Sequence, residues 1–282
     1  MAHAGLSLVG FMDEAGAVEH LRKACVPAPT ADDAALRADW QAARAKLGAP
    51  VPNAGHPNLQ SIPPANMGYI NALLQLPWVA AANQGPAAVT QANFQLVEID
   101  PLLAFQFSVD LVRSDNHCNA VAHPPTMQQL LAICFPTAPP NEGYGWQRLG
   151  QSAMIKAKTL NLRVYDQGII NGQVLGLIFG PALQFTQVTR FNNRLYLFNG
   201  FHRAIGLRRA GATHMPCVVR DVATVVEAGV KGGKETLPEA LMVSADPPTL
   251  AHLTRGSAFD VQIREVSRIL HVSWAEYLWP EE

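Results

Sequence analysis

The sequence predicts a protein of the α+β class, and three observations lead to that prediction. Short runs in the second half of the chain alternate apolar and polar residues, as half-buried strands do. Segments with a helix-start signal and an apolar face lie between these runs. The chain has 282 residues, 49% of them hydrophobic and 15% charged, so it can bury a sizeable core and is too apolar for a disordered protein.

The first of three predicted regions, residues 1–92, is expected to be helical and irregular. Its first half is rich in alanine, and Thr30 is placed to cap a helix over residues 31–47. Proline, asparagine and glycine then become frequent, which indicates irregular structure with one short helix near residues 68–76.

The second region, residues 93–225, is expected to form an α/β core. Residues 94–100 alternate as a strand does, and a helix over 127–135 begins with a capping-box pattern made by Thr126 and Gln129. The remaining predicted elements are strands at 160–166, 173–179, 184–191, 194–198 and 215–219, and a helix at 201–210.

Two pairs of turn residues indicate that these strands form hairpins. Asn171-Gly172 is a hairpin signal, and Asn192-Asn193 tolerates the positive φ that a tight turn requires. A short helix is expected over 221–228. The third region, residues 226–282, is predicted to pack on the core as an extension that ends in a helix.

One strand-to-helix turn, within 195-LYLFNGFHRAIGLRRAGATHMPCVV-219, carries the strongest functional signal. The first turn of a helix leaves backbone N–H groups unpaired, and their dipoles favour negative charge. Gly200 lets a ligand oxygen approach the backbone, Arg203 offers a forked contact to phosphate, and His202 offers a hydrogen bond or a proton. The turn therefore predicts a phosphate site, and a purely structural turn with a solvated Arg203 is the alternative.

The charge distribution points to the same segment. Residues 190–221 contain six arginines and one acidic residue, although the whole protein has a net charge of only −1. A local basic patch in a neutral protein indicates an anionic ligand of limited size rather than a long polyanion. A solvated helix face is the alternative interpretation.

The pattern Asn199-Gly200-Phe201-His202-Arg203, followed by a helix, a glycine and Met215-Pro216, resembles the ParB/sulfiredoxin superfamily. The resemblance extends over about residues 184–220 and weakly over 94–113. It implies a small mixed sheet with flanking helices, in which this turn binds the phosphates of ATP or CTP, usually with a magnesium ion. Family members include DNA-partition clamps, sulfinic-acid reductases and small-molecule kinases, and the superfamily also carries an older label of nuclease.

Two departures from the family pattern narrow the expected function. Sulfiredoxins place their reactive cysteine just before the His-Arg pair, where this chain has Phe201. ParB proteins continue into a helix-turn-helix, and no such motif is evident in residues 221–282. The sequence therefore argues against sulfinic-acid reduction and against chromosome partition.

Phosphoryl transfer also needs a carboxylate. Glu98 and Asp100 lie two residues apart, on one sheet face, and are predicted to act with His202 in catalysis. By the resemblance, the same unit would bring Gln106 to the nucleotide and Asp110 to the metal. Each acid has an ordinary alternative as a capping or solvated carboxylate.

A second group of possible ligands lies in the stretch 114-SDNHCNAVAH-123. The stretch lacks the paired Cys/His spacing of a zinc site. We expect this stretch to form a wall of the active site or a turn on the protein surface instead of a metal site.

The sequence thus predicts a nucleotide-dependent phosphotransferase or nucleoside triphosphate hydrolase that acts on a small-molecule or protein substrate. A nucleotide- or nucleic-acid-binding module without catalysis, or a nuclease, is the alternative. The N-terminus does not have the basic start of a secretion signal, and no apolar run reaches the roughly 18 residues that a membrane span needs. A cytoplasmic location without membrane contact is expected.

Overall fold

The computed structural model describes residues 2–26, 32–83, 88–138, 144–150, 152–157, 162–170, 174–181, 183–231, 236–264 and 268–273. The chain forms two compact units. Unit 1 comprises Met1–Thr137 with Phe185–Arg264, and unit 2 comprises Ala138–Gln184 with Glu265–Glu282. The sequence-based division into 1–92, 93–225 and 226–282 differs from this one.

The described residues form nine helices and fourteen strands, which confirms the α+β class. The helices are α1 Glu14–Ala24, α2 Asp33–Ala45, α3 Met67–Leu74, α4 Pro77–Ala82, α5 Leu111–Cys118, α6 Met127–Cys134, α7 Phe201–Arg209, α8 Glu239–Met242 and α9 Leu250–Thr254. The strands are β1 Ala2–Ser7, β2 Cys25–Val26, β3 Leu59–Ser61, β4 Phe94–Glu98, β5 Ser108–Asp110, β6 Tyr144–Leu149, β7 Ser152–Ala157, β8 Leu162–Ile170, β9 Val174–Pro181, β10 Gln187–Phe191, β11 Arg194–Asn199, β12 His214–Asp221, β13 Phe259–Arg264 and β14 Arg268–Ser273.

The larger sheet of unit 1 has the strand order β11-β10-β12-β4-β3. Strands β10 and β12 are parallel, and the other neighbours are antiparallel. The hairpin between β10 and β11 is confirmed, because Asn192 and Asn193 have φ values of 48° and 60°. This sheet contains the strand-to-helix turn, since α7 follows β11 directly.

The second sheet of unit 1 has the order β2-β13-β1-β5 and was not predicted. The expectation of a helical N-terminus is wrong for β1, whose six residues pair with β13 from Ala2↔Arg264 to Ser7↔Phe259. Both partners of β1 are distant in the chain, and its alanine- and glycine-rich sequence has little strand character of its own. The pairing joins the two ends of unit 1.

Unit 2 is built from antiparallel strands. Strands β14, β7 and β6 form one sheet, and β8 and β9 form a separate pair. The β8–β9 pair confirms the predicted hairpin, although its turn at 171–172 lies outside the described residues. The predicted C-terminal helix also falls outside them, whereas β13 and β14 occupy most of the preceding segment.

The structure confirms one predicted helix start and contradicts another predicted helix. The capping box of α6 is present, with Thr126 and Gln129 bonded reciprocally. Helix α2 is capped by Asp32, whose side chain accepts a hydrogen bond from the Ala35 N–H at 2.7 Å, and Thr30 lies outside the described residues. The expected helix over 221–228 is wrong, because β12 extends to Asp221 and turns follow it.

Within the part of the chain that is described, no helix has both the length and the apolar character required to cross a bilayer.

Candidate functional site

The turn between β11 and α7 requires a glycine. Gly200 has φ 104° and ψ 22°, a left-handed conformation that side chains disfavour. A Cβ atom at this position would lie 2.6 Å from Thr186 Cγ2. The Asn199 side chain fixes the end of the strand, because its Nδ2 donates to the Phe185 carbonyl at 3.0 Å.

The first turn of α7 presents free backbone donors. The Gly200 carbonyl accepts the helical hydrogen bond from the Ala204 N–H at 2.8 Å. Among the described residues, no acceptor is bonded to the N–H of Phe201 or of His202. These groups lie at the positive end of the helix dipole, where an anion is stabilised.

Phe201 anchors this turn in the core. Its side chain is 4% exposed, and its ring meets that of Phe105 edge-on with centroids 5.4 Å apart. The predicted contact of Phe201 with a nucleotide is therefore confined to its backbone N–H.

Arg203 is buried, which contradicts the alternative interpretation of a solvated arginine. The residue is only 8% exposed, and burial lowers the pKa of its guanidinium. The thiol of Cys134 is close enough to act on it electrostatically. The forked contact of Arg203 to phosphate stays a prediction. Removal of this side chain would leave a cavity, so an alanine substitution at Arg203 would not separate ligand binding from stability.

Helix α5 packs against α7 at a glycine contact. A Cβ atom at Gly206 would lie 2.4 Å from the Ser114 carbonyl oxygen and 2.8 Å from Cys118 Sγ. His202 lies four residues before Gly206 and thus on the same face of α7. The close approach therefore brings His202 to the side chains of α5.

His202 is surrounded by positive and titratable groups. Burial first, and then the charges of Arg113 and His117, lower its pKa to about 4, while Asp110 acts in the opposite direction. The imidazole is therefore neutral at pH 7. In that state it can donate one hydrogen bond to a phosphate, but it has no surplus proton to release as an acid.

Two residues of α5, Arg113 and His117, act on His202 by their charge. Arg113 was not assigned from the sequence, whereas His117 belongs to the stretch 114–123, for which a wall of the active site or a surface turn was expected. They lie four residues apart on α5, on one face of the helix. Burial and the charges of Arg203 and Arg113 lower the pKa of His117 to about 4, although its side chain is largely exposed and solvent moderates the effect. Arg113 and His117 follow the cap residue Asp110 by three and seven residues, which is the spacing of one helix face, and this spacing would have placed them together.

Asp110 lies beside this group and joins three elements. Its carboxylate caps α5 by accepting from the Arg113 N–H at 3.0 Å, and its Oδ2 lies 2.7 Å from Nδ1 of His3 on β1. Burial acts to raise the pKa of Asp110, but hydrogen bonds to His3 and Arg113 and the charges of His3 and His202 outweigh it and lower the pKa.

Asp110 caps α5 and pairs with His3, and its binding of a metal stays a prediction. No group of three or more His, Cys, Asp or Glu side chains is placed to hold a metal among the described residues. Two of the possible ligands in residues 114–123 are likewise engaged within the fold. Asp115 pairs with Arg209 at 3.2 Å, and burial raises the pKa of the Cys118 thiol to about 11.

Glu98 and Asp100 are not brought to the turn. Glu98 ends β4, three strands from β11, which corresponds to about 14 Å across the sheet. Its Oε2 accepts from the Asn58 N–H at 3.1 Å. The two carboxylates were predicted to share one face of the sheet, but the structure places them in separate hydrogen-bonded groups.

Asp100 has a structural partner at the other end of α7. Its carboxylate accepts two hydrogen bonds from Arg208, at 2.8 and 3.2 Å, and one from Arg255 at 2.5 Å. Burial favours a raised pKa, but these two arginines lower it. Arg208 is six residues after His202, about 9 Å along the helix, so Asp100 stabilises the end of α7 that is remote from the turn.

Gln106 is also engaged elsewhere. Its Nε2 donates to the Ser108 carbonyl at 2.7 Å and not to a residue of the turn. Nearby, the Ser108 hydroxyl lies 2.9 Å from His20 Nε2 and donates to Ser7 Oγ, which in turn donates to the Phe107 carbonyl. Because the Ser108 hydroxyl gives its proton to Ser7, His20 must donate its Nε2 proton to the Ser108 oxygen. His20 therefore does not act as a base that activates Ser108.

The local excess of arginine is mostly structural. Arg190 pairs with Asp221 at 3.3 Å, Arg208 with Asp100, and Arg209 with Asp115. Arg194 donates to the carbonyls of Met242 and Ser244. These four side chains are engaged with partners inside the protein, so the charge count alone overstates how many arginines are available to an anion.

Comparison with known proteins identifies no relative of this chain. No family model matches it, and neither the curated proteins nor the solved structures give a significant match. The resemblance to the ParB/sulfiredoxin superfamily therefore rests on the motif over residues 184–220.

Proposed function

We propose that unit 1 binds the phosphate groups of a nucleotide, ATP or CTP, at the start of α7. The observation that carries the proposal is the pair of free N–H groups at Phe201 and His202. The neutral ring of His202 and the guanidinium of Arg113, whose charge acts on His202, add donors suited to phosphate. The succession of β11, α7 and β12 within a mixed sheet also agrees with the fold that the resemblance implies.

The proposed reaction is transfer of the terminal phosphoryl group to a small-molecule or protein substrate, or to water. The N–H groups and Arg113 would stabilise the charge that develops on the leaving phosphate oxygen. Magnesium usually needs one or two carboxylates together with substrate phosphates. Asp110, the carboxylate that acts on His202, is already bonded to His3 and Arg113, so we derive no step through a metal.

A binding function without catalysis is the second candidate. It is favoured by the positions of the two predicted catalytic carboxylates. Glu98 bonds to the Asn58 N–H beside β3, and Asp100 joins Arg208 of α7 to Arg255 after α9, so neither lies at the turn. A nuclease or nucleic-acid-binding function has less support, because four arginines of the basic segment are paired within the protein.

Arg113→Ala is expected to weaken nucleotide binding at least tenfold without unfolding the protein. Arg113 is exposed on α5 and makes no ion pair with another described residue, so its loss removes a phosphate contact and little packing. A charge-assisted hydrogen bond is worth about 1.5–3 kcal/mol. Calorimetric titration of wild type and variant with ATP, CTP and inorganic triphosphate measures the effect, and thermal melts verify the fold.

The matched control is Arg209→Ala. Arg209 lies at the other end of α7, and its side chain is 46% exposed in a pair with Asp115. The Arg209→Ala variant should bind nucleotide as tightly as the wild type does. Equal affinity of wild type and Arg113→Ala would contradict the proposed site. Nucleoside diphosphate release, assayed in the same samples, distinguishes the catalytic function from the binding function.

A further inference from the structure

We propose that His3 is the general base of the phosphoryl transfer and that Asp110 is the residue that positions it. This inference rests on the function proposed above and assigns a role to the N-terminal strand. The nucleotide is a triphosphate, and the acceptor is a hydroxyl group of water or of a second substrate.

The fold brings His3 to the start of α5. Strand β1 pairs with β5 over three residues, from Gly5↔Asp110 to Ser7↔Ser108. His3 lies two residues beyond that pairing, where β5 has ended and α5 begins. Its Nδ1 is 2.7 Å from Asp110 Oδ2, and the two side chains are 27% and 15% exposed. A contact across 107 residues of sequence is thus held by a sheet on one side and a helix cap on the other.

The hydrogen bonds of Asp110 fix the state of the His3 ring. A carboxylate only accepts hydrogen bonds, so Nδ1 of His3 must carry the proton. The lone pair of a neutral imidazole is then on Nε2, and no described residue is bonded to that atom. This is the arrangement by which an aspartate orients a histidine base in hydrolytic enzymes.

The dyad lies next to the proposed phosphate site. Asp110 is close enough to His202 for each to act on the other's charge. Helix α5, which Asp110 caps, packs directly on α7 through Gly206. The acceptor hydroxyl would therefore lie between His3 and a phosphate held at the first turn of α7.

The proposed step moves one proton and one phosphoryl group. The acceptor hydroxyl transfers its proton to His3 Nε2, and its oxygen forms a bond to the terminal phosphorus. The bond from that phosphorus to the bridging oxygen breaks, and its electron pair leaves with the nucleoside diphosphate. The Asp110 carboxylate stabilises the imidazolium of His3, which then releases the proton to solvent.

His3→Gln is expected to lower kcat about 100-fold or more, as loss of a general base does, with KM for the nucleotide within threefold of wild type. Asp110→Asn retains the cap on α5 and is expected to lower kcat at least tenfold with the same unchanged KM. His56→Gln is the matched control. His56 is exposed near Gly55, which bonds to Leu195, far from the α7 end of β11, and its substitution should leave both constants unchanged.

The ring of His3 gives a readout that needs no turnover. Nitrogen chemical shifts of wild type should show the Nδ1–H tautomer, and Asp110→Asn should reduce that preference. An Nε2–H tautomer in the wild type would overturn the dyad even if both variants failed to fold.

The outcomes separate this inference from the proposed function. Nucleotide turnover that persists in His3→Gln overturns the dyad and leaves the function standing. Binding without turnover in the wild type overturns the dyad and retains only the binding function. No binding of any nucleotide by the wild type overturns both.

Discussion

Gly200→Ala is expected to destabilise the protein by about 3 kcal/mol and to abolish nucleotide binding. A left-handed conformation costs a side chain about 1–3 kcal/mol, and overpacking adds about 1–3 kcal/mol. Both apply here, because φ is 104° and the new Cβ would lie 2.6 Å from Thr186 Cγ2. Relief of that overlap would move the first N–H groups of α7 away from their position. Urea unfolding and calorimetric titration measure the two effects.

Gly211→Ala separates backbone strain from crowding. Gly211 follows the same helix and has φ 92°, but a Cβ atom there would meet nothing closer than 3.8 Å, from Pro124. We expect a cost of about 1 kcal/mol, from φ alone, with nucleotide binding retained. Equal stability losses for Gly200→Ala and Gly211→Ala would contradict the argument that Thr186 fills the space at Gly200.

Unfolding free energy is expected to fall as the pH is lowered from 7 to 5, by about 1–2 kcal/mol for each of His20 and His202. Burial lowers the pKa of both imidazoles from 6.5 to about 4. Between these values the unfolded chain binds protons that the folded protein excludes, so acid favours unfolding. Stability is therefore present above pH 6.5 and is lost progressively toward pH 4. Urea midpoints at pH 7, 6 and 5 measure the change.

Histidine substitutions identify the source of that pH dependence. His202→Gln and His20→Gln should each reduce the difference in unfolding free energy between pH 7 and pH 5. His56→Gln, on an exposed residue, should leave it unchanged. The lowered pKa values of Asp100 and Asp110 add a further loss only below about pH 4. A pH-independent wild-type stability from pH 7 to 5 would show that these imidazoles are not buried as described.

The sequence predicted the elements whose signals are local. The asparagine pair of the β10–β11 hairpin, the capping box of α6 and the glycine before α7 each require a specific backbone geometry from neighbouring residues. The same is true of the strand-to-helix turn itself. These features depend on sterics and on hydrogen bonds within a few residues, so a single sequence is enough to place them.

The features that were missed depend on distant partners. Strand β1 forms only because β13 and β5 lie on either side of it, and the His3–Asp110 pair follows from that sheet. Arg203 is buried by the packing of the core around the first turn of α7. Asp100 is held by Arg208 and Arg255, and no sequence spacing shows that an acid on a strand end will find two cations there.

Amide NMR during titration with ATP, CTP and inorganic triphosphate is the decisive test of a phosphate site at the first turn of α7. We expect the largest saturable shifts at the N–H groups of Phe201 and His202 and at the ring of His202. Saturable binding that leaves these amides unmoved would contradict a site at this turn.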